Sequence, residues 1–495
     1  MTLPVTRRHF RLAIALLLGC GGKDGGPSEP GTAALAVRLE TVGATDTIGA
    51  RSSSITAFVT RGGAAVAGIA VKFSVLPDPV WPEPPVRLVG VVGDTTVTRT
   101  TSAKGAASAD VQFGDRAGAY SVVVTVTGAA RPDTVRLTVQ PGRATSLHIG
   151  TPDTLATVNV AYRPALKALD RAGNATAETV TLQTASPCLI DAGTIVRTSV
   201  GLCTVDVAVG ALTGRLEVTF VPAGRIFGLA ERSLISMKLD GSVYRAVRTL
   251  RGGQYSGEEN HPARGTNGLV AVMDVGTDLK THIFVMDSTG AGMTQVPLTM
   301  PAGAEQNWPV LSPDGQWIYF SNCNYPIGEI CRVWRSHPDG SSPSALTSTL
   351  TQNGGYRSNR PALTSDGKTL VYGDGLMRLH TLDLATGVDR SLGLTQVTAF
   401  AIHPAGTRIA FVDIIDNRLH IMNLDGTGLV DVPSTAGFLD QLEWTADGSW
   451  LIAQPWTARP DGISYLIWFA LVDPVTGQQI WLRYKQYFWE LSADR

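Results

Sequence analysis

The chain has 495 residues, a formal net charge of −1 and 44% hydrophobic residues. At roughly 150 residues per domain, that length suggests about three domains, with ample apolar content for folded cores. Charged residues make up only 17%, and the near-zero balance excludes a basic field of the kind that recruits nucleic acid. Thr, Val, Gly and Ala dominate and long 3.6-periodic segments are missing, so the composition reads as all-β.

Residues 1–20 predict an export signal rather than part of the fold. Arg7, Arg8 and Arg11 form a basic start, and Leu12 to Leu18 an apolar run too short to span a bilayer. The run ends at Leu17-Leu18-Gly19-Cys20, which resembles a bacterial lipobox. The resemblance implies cleavage before Cys20, acylation of that residue and a membrane partner through the lipid. Several acyl chains anchor stably, since each buried CH₂ contributes about 0.8 kcal/mol. The alternative is an ordinary secretory signal with an incidental Cys. Thr6-Arg7-Arg8-His9-Phe10 also resembles a twin-arginine signal, so the export route stays open. Residues 21–32 are Gly, Pro and polar residues that predict a flexible tether. Gly21 stands where some bacteria carry an Asp that retains lipoproteins at the inner membrane. The expectation therefore leans towards the outer membrane or cell surface.

Residues 33–140 predict a β-sandwich with strands near Ala34–Leu39, Ser54–Thr60, Ile69–Leu76, Ala106–Phe113, Tyr120–Thr127 and Thr134–Val139. Ile69, Val71, Phe73 and Val75 alternate with other residues and face one core. Ala67–Val75, Thr101–Ala107 and Ala117–Val122 resemble bacterial Ig-like domains of the invasin and intimin type. Tyr120 is either a corner tyrosine or plain core. Pro77–Pro85 is an extended loop, because Pro removes backbone donors, and Trp81 either makes a contact there or folds back on the sandwich. Residues 141–222 predict a second sandwich, with Ala168–Asn174 similar to a strand–turn segment of the same Ig-like repeats. Pro222-Ala223-Gly224 marks the boundary with residues 223–495. Proximity pairs Cys188 with Cys203 and Cys323 with Cys331; free buried thiols are the alternative.

Residues 223–495 repeat. One turn recurs at Asp240-Gly241, Asp287–Gly290, Asp339-Gly340, Asp383–Gly387, Asp425-Gly426 and Asp473–Gly477, in steps of 47, 52, 44, 42 and 48 residues. Another recurs at Asn267-Gly268, Asp314-Gly315, Asp366-Gly367, Ala405-Gly406 and Asp447-Gly448. Asp-Gly between β-rich runs signals a hairpin, and four short strands per period in the forties signal propeller blades. Six copies of the first turn predict six blades. The first blade lacks an opening strand, and Phe488–Arg495 is expected to supply it and close the ring. Pro309, Leu311–Gly315, Ile318, Phe320 and Leu346-Thr347 resemble the WD40-like repeats of the TolB family. That resemblance covers about residues 224–495 and implies fold rather than activity.

No G-x-S-x-G elbow, H-E-x-x-H, Walker loop or dinucleotide fingerprint occurs. No catalytic residue, metal ligand or cofactor is therefore assigned. His261, His282, His337, His380, His403 and His420 are spread through the blades, and His403 stands at the position of Ser312 in the repeat, a structural placing. Three connections share Asn-x-Pro: Asn260-His261-Pro262, Asn307-Trp308-Pro309 and Asn359-Arg360-Pro361. By resemblance to related propellers these loops sit at the funnel mouth of the ring axis. There, Asn260, His261, Asn307, Trp308, Asn359 and Arg360 would contact one protein, peptide or glycan ligand. The competing reading is that Asn caps a turn and Pro presets the strand. The expected function is non-catalytic binding by an exported, lipid-anchored propeller on an Ig-like stalk. The alternative is a metal-dependent lyase or lactonase-like hydrolase using the same funnel.

Overall fold

In the computed structural model the described residues are 33–76, 86–89, 95–150, 153–230, 233–251, 262–300, 304–324, 330–348, 351–352, 360–393, 396–433, 439–458, 465–467, 469–482 and 490–493. Every regular element among them is a β-strand. The signal and tether over 1–32, with Cys20, lie outside the described residues, as do Pro77–Pro85 with Trp81. The chain divides into two compact units, Met1–Thr145 with Leu169–Ala177, and Ser146–Ala168 with Glu178–Arg495.

In the first unit two sheets enclose one core. One sheet has the order Leu35–Val42, Arg51–Arg61, Ala106–Phe113, Val86–Leu88, with Ala64–Ala65 added to Arg51–Arg61. The other runs Thr45–Thr47, Asp133–Gln140, Gly118–Val126, Ala70–Val75, Thr96–Thr100. Strict alternation sorts the side chains: Val71, Phe73 and Val75 are buried with Ile55, Val111 and Leu137, while Lys72 is exposed. Each such side chain contributes about 1.5–3 kcal/mol by leaving water. Tyr120 serves both purposes open to it. Its ring lies against the core and its hydroxyl donates to the Arg116 carbonyl at 3.2 Å. Asp170 closes the Asp170–Asn174 turn by accepting from the backbone N–H of Ala172 and Asn174, and also from Gly142.

The second unit begins with a four-stranded sheet ordered Asp153–Thr157, Leu212–Val221, Gly201–Val209, Thr181–Thr184. Two two-stranded sheets accompany it, Ser146–Ile149 with Leu166–Leu169 and Leu189–Asp191 with Thr194–Val196. Ile195, Val205, Val207, Leu216, Val218 and Phe220 form their core. Cys188 and Cys203 are bonded there, with Cα atoms 5.9 Å apart.

Six antiparallel meander sheets follow. Sheet one is ordered Glu490–Ala493, Arg225–Ala230, Ser233–Lys238, Arg245–Thr249. Sheet two is Ala263–Arg264, Leu269–Val275, Thr281–Asp287, Thr294–Gln295. Sheet three is Ala304–Leu311, Ile318–Asn324, Ile330–Ser336, Ser344–Ala345, with Thr351–Gln352 on its third strand. Sheet four is Ala362–Leu363, Thr369–Gly373, Leu379–Asp383, Asp389–Ser391. Sheet five is Val397–Ile402, Arg408–Asp413, Arg418–Asn423, Val430–Asp431. Sheet six is Leu439–Trp444, Leu451–Ala458, Phe469–Val472, Gln479–Leu482, with Tyr465–Ile467 on its second strand.

Inner strands of these sheets are buried on both faces. Val397–Ile402 is buried at every residue and Val270 to Asp274 likewise. Each interface between sheets therefore has its own core. Leu234 and Leu250 meet Val270 and Val272 between sheets one and two, and Val285 meets Leu311 and Phe320 between two and three. Tyr319 meets Tyr372 between three and four, Val371 meets Phe411 between four and five, and Ala410 meets Trp444 between five and six. Sheet six in turn meets sheet one through Ile452, Phe469 and Leu471 against Ile226, Ile235 and Met237.

Glu490–Ala493 runs antiparallel to Arg225–Ala230, with Gly228 opposite Leu491. Removing Phe488–Arg495 would leave Arg225–Ala230 with an unpaired ladder edge. The expected outcome is a melting temperature lower by on the order of 5–10 °C, read by calorimetry. An unchanged melt would show that this pairing contributes nothing.

Candidate functional site

At one end of sheets three, four and six the turn between first and second strands repeats one hydrogen-bond scheme. Ser312 Oγ meets Asp314 at 2.5 Å, the Gln316 N–H donates to Asp314 at 3.0 Å, and the Trp317 N–H donates to Ser312 Oγ at 2.9 Å. Thr364 with Asp366 and Thr445 with Asp447 repeat it. The hydroxyls of Ser312 and Thr364 hold the Asp314 and Asp366 carboxyls below the usual range. Gly315 sits at φ +69°, where a side chain would strain the backbone. The carboxylates are thus spent on the turn itself.

Sheet five varies this scheme. His403 Nδ1 accepts the Ala405 N–H at 3.0 Å, and the other ring nitrogen lies 3.2 Å from the Gly448 carbonyl, which makes it the donor there. The ring also stands edge-on to Trp444 at 4.7 Å. Burial, with Arg408 nearby, pushes this imidazole below its ordinary value.

Towards the opposite end, where first strands begin, stand the described parts of the Asn-x-Pro segments, Pro262, Asn307-Trp308-Pro309 and Arg360-Pro361. Asn260, His261 and Asn359 lie outside the described residues. Asn307 and Trp308 stand in the first strand of sheet three, at a bulge between Asn307 and Val310. Both are buried, at 0% and 6% exposure. Trp308 is held at φ +52°, its N–H donates to Met273 Sδ at 2.9 Å, and among the described residues no acceptor reaches its Nε1. A strained backbone and an unmet buried donor on one residue each cost on the order of 1–3 kcal/mol.

Arg360, just before the first strand of sheet four, pairs with Glu443 in the first strand of sheet six. First strands of successive sheets lie side by side, from Ala304–Leu311 to Ala362–Leu363, Val397–Ile402, Leu439–Trp444 and Glu490–Ala493. The pair therefore passes over the whole of sheet five. Both side chains are largely covered, at 18% and 7% exposure.

The second-to-third-strand hairpins at this end are fastened by side chains. His282 meets Asp278 at 2.9 Å and Gln306 at 2.7 Å, and Gln306 reaches on to Asn322. His380 lies between Asp374 and Asp389, and His420 between Asp416 and Asp431. In sheet three a disulfide takes this place. Cys323 and Cys331 face each other across the ladder, with Cα atoms 4.0 Å apart. Burial opposes the charge on Asp374, yet hydrogen bonds from Arg378 and the Arg378 and Leu376 N–H groups hold its carboxyl below the usual range. These three histidines are fasteners. Among the described residues no group of three or more His, Cys, Asp or Glu is arranged to hold a metal ion.

Counting back from the Gly of the turn between first and second strands (Gly268, Gly315, Gly367, Gly406 and Gly448) shows what sequence reasoning missed. Seven residues before it stand His261, Trp308, Arg360, Ala399 and Gln441. Five before it stand Ala263, Val310, Ala362, Ala401 and Glu443. Glu443 is the lone charge in an otherwise apolar column, and that signal was open to a column-by-column reading.

No family model and no curated protein matches the chain. Among solved structures it is similar to TolB from Acinetobacter baumannii, with 16% identity and a TM-score of 0.43, over 64% of this chain and 82% of that one. A putative TolB from Agrobacterium tumefaciens is similar at 15% identity and a TM-score of 0.39, over 54% and 90%. An oligogalacturonate lyase in complex with manganese is similar at 16% identity and a TM-score of 0.34, over 53% and 73%. TolB-like β-propeller proteins are thus among the structural neighbours of this all-β chain.

Two measurements check this geometry. Arg360→Met alone leaves a buried carboxylate and is expected to cost about 3 kcal/mol, while Arg360→Met with Glu443→Leu recovers most of it in denaturant titrations. Equal losses in the single and double variants would rule out the coupling. For His403, the fold disfavours the imidazolium, so its contribution is full above the unfolded value of about 6.5 and fades as pH falls. Restoring the repeat with His403→Ser and Ala405→Asp should shrink the fall in melting temperature between about pH 7 and about pH 5. A fall as large as the parent's would place the acid sensitivity elsewhere.

Proposed function

We propose that the six meander sheets form a six-bladed propeller closed by Glu490–Ala493, and that the end of its axis marked by Trp308 and Arg360 binds a protein, peptide or glycan without converting it. The observation that carries this reading is one column of the repeat. The position that holds Trp308 in sheet three holds Arg360 in sheet four and His261 in the sequence of sheet two. The same position holds Ala399 in sheet five and Gln441 in sheet six, so the imidazole, the indole and the guanidinium stand together in three consecutive sheets. Trp308 is buried with a donor unmet among the described residues, and Arg360 is largely covered in a long-range ion pair. The cyclic run of inter-sheet cores, ending on sheet six against sheet one, supports the closed ring.

The leader supports the cellular setting. Cys20 is the lipidated residue in this reading, residues 21–32 are the tether, and the two sandwiches are Ig-like spacers that hold the propeller off an outer membrane or cell surface.

The test is capture of envelope components by the purified full chain. The variant combines His261→Ala, Trp308→Ala and Arg360→Met with Glu443→Leu, which spares the fold a lone buried charge. It is expected to fold cooperatively, with a melt lowered by the cavity that Trp308→Ala leaves, and to lose captured material by at least about tenfold. Undiminished capture by this folded variant would move the binding surface elsewhere. Cys20→Ser is expected to shift the chain from the membrane to the soluble fraction.

A further inference from the structure

We infer that the Trp308–Arg360 end of the axis is a carboxylate site, occupied in this structure by the protein's own Glu443. This deepens the reading above and rests on it. Three observations combine. First, Trp308 and Arg360 hold the same place in the repeat of adjacent sheets, and both side chains are donors only. Second, Trp308 Nε1 is buried with no acceptor among the described residues, on a backbone at φ +52°. A buried donor left unmet is costly, and such residues persist where a ligand supplies the acceptor. Third, Arg360 is met by a carboxylate from two sheets away, out of a column that is otherwise Ala or Val.

A largely buried ion pair is a poor source of stability, since apolar replacements of similar volume serve as well or better. Glu443 therefore acts as an internal stand-in: it keeps Arg360 satisfied until a ligand carboxylate replaces it. The guanidinium receives one carboxylate in a planar, directional geometry, and an indole N–H offers a further donor to an incoming oxygen. A cationic ligand would instead need acceptors, and the side chains of Trp308 and Arg360 offer donors alone. Binding is an exchange of one carboxylate for another, with no covalent step.

The test titrates N-acetylglycine and D-glucuronate, each beside its methyl ester, into the full chain by calorimetry. The acids are expected to bind and the esters to fail. Glu443→Gln removes the internal competitor and should raise acid affinity about tenfold; Arg360→Gln should abolish it, and Trp308→Phe should weaken it several-fold. Preference for one acid tells whether the carboxylate comes from a peptide end or from a sugar acid. The inference is overturned if Glu443→Gln binds acid no tighter than the parent, or if esters bind as well as acids. Should Arg360→Gln fail to fold, the Glu443→Gln comparison alone decides. These probes need no macromolecular partner, so acid binding without envelope capture would sink only the recognition reading.

Discussion

Two-sided burial is the constraint on which the second unit depends. A sandwich strand such as Gly201–Val209 alternates buried and exposed residues, so one face can stay wet. A strand such as Val397–Ile402 has no wet face at all. Each meander sheet must be covered on both sides, and the cheapest cover is another copy of itself. An array of such sheets has two bare ends unless they meet. Here Ile452, Phe469 and Leu471 of sheet six cover Ile226, Ile235 and Met237 of sheet one. The same demand explains why polar residues that do enter these strands, such as Gln306, Asn307 and Glu443, are each tied into specific partners or gathered at one end.

Much of this architecture was legible because turns are written in few residues. The Asp-Gly pairs at 314, 366 and 447 need a left-handed glycine and an acceptor for the next N–H, and few other residues supply both. The uninterrupted apolar runs beside them, as in Trp317 to Phe320, already signalled burial on both faces. In the first unit the alternation of Val71, Phe73 and Val75 was equally plain. Short strands were not: Thr45–Thr47, Val86–Leu88 and Asp153–Thr157 are too brief to show a period and owe their pairing to neighbours. Asp153–Thr157 joins its sheet in parallel, a pairing that no local turn announces.

The site was legible only in its columns. Of the residues that Asn-x-Pro marked, Asn307, Trp308 and Arg360 can be followed in the structure, while Asn260, His261 and Asn359 lie outside the described residues. Glu443 was missed because its partner is 83 residues away, beyond any local pattern. The histidines illustrate the same limit. His282, His380 and His420 looked dispersed in sequence, yet each closes a hairpin with a partner at both ring nitrogens. Local spacing reports turns well and reports fastenings between strands poorly.

The seam between sheets six and one also contains Leu155, Val200 and Val221 of the preceding sandwich, and Thr157 Oγ1 donates to Asp240 at 2.6 Å. Cutting away the residues before Arg225 would therefore bare apolar surface at this contact as well as in their own core.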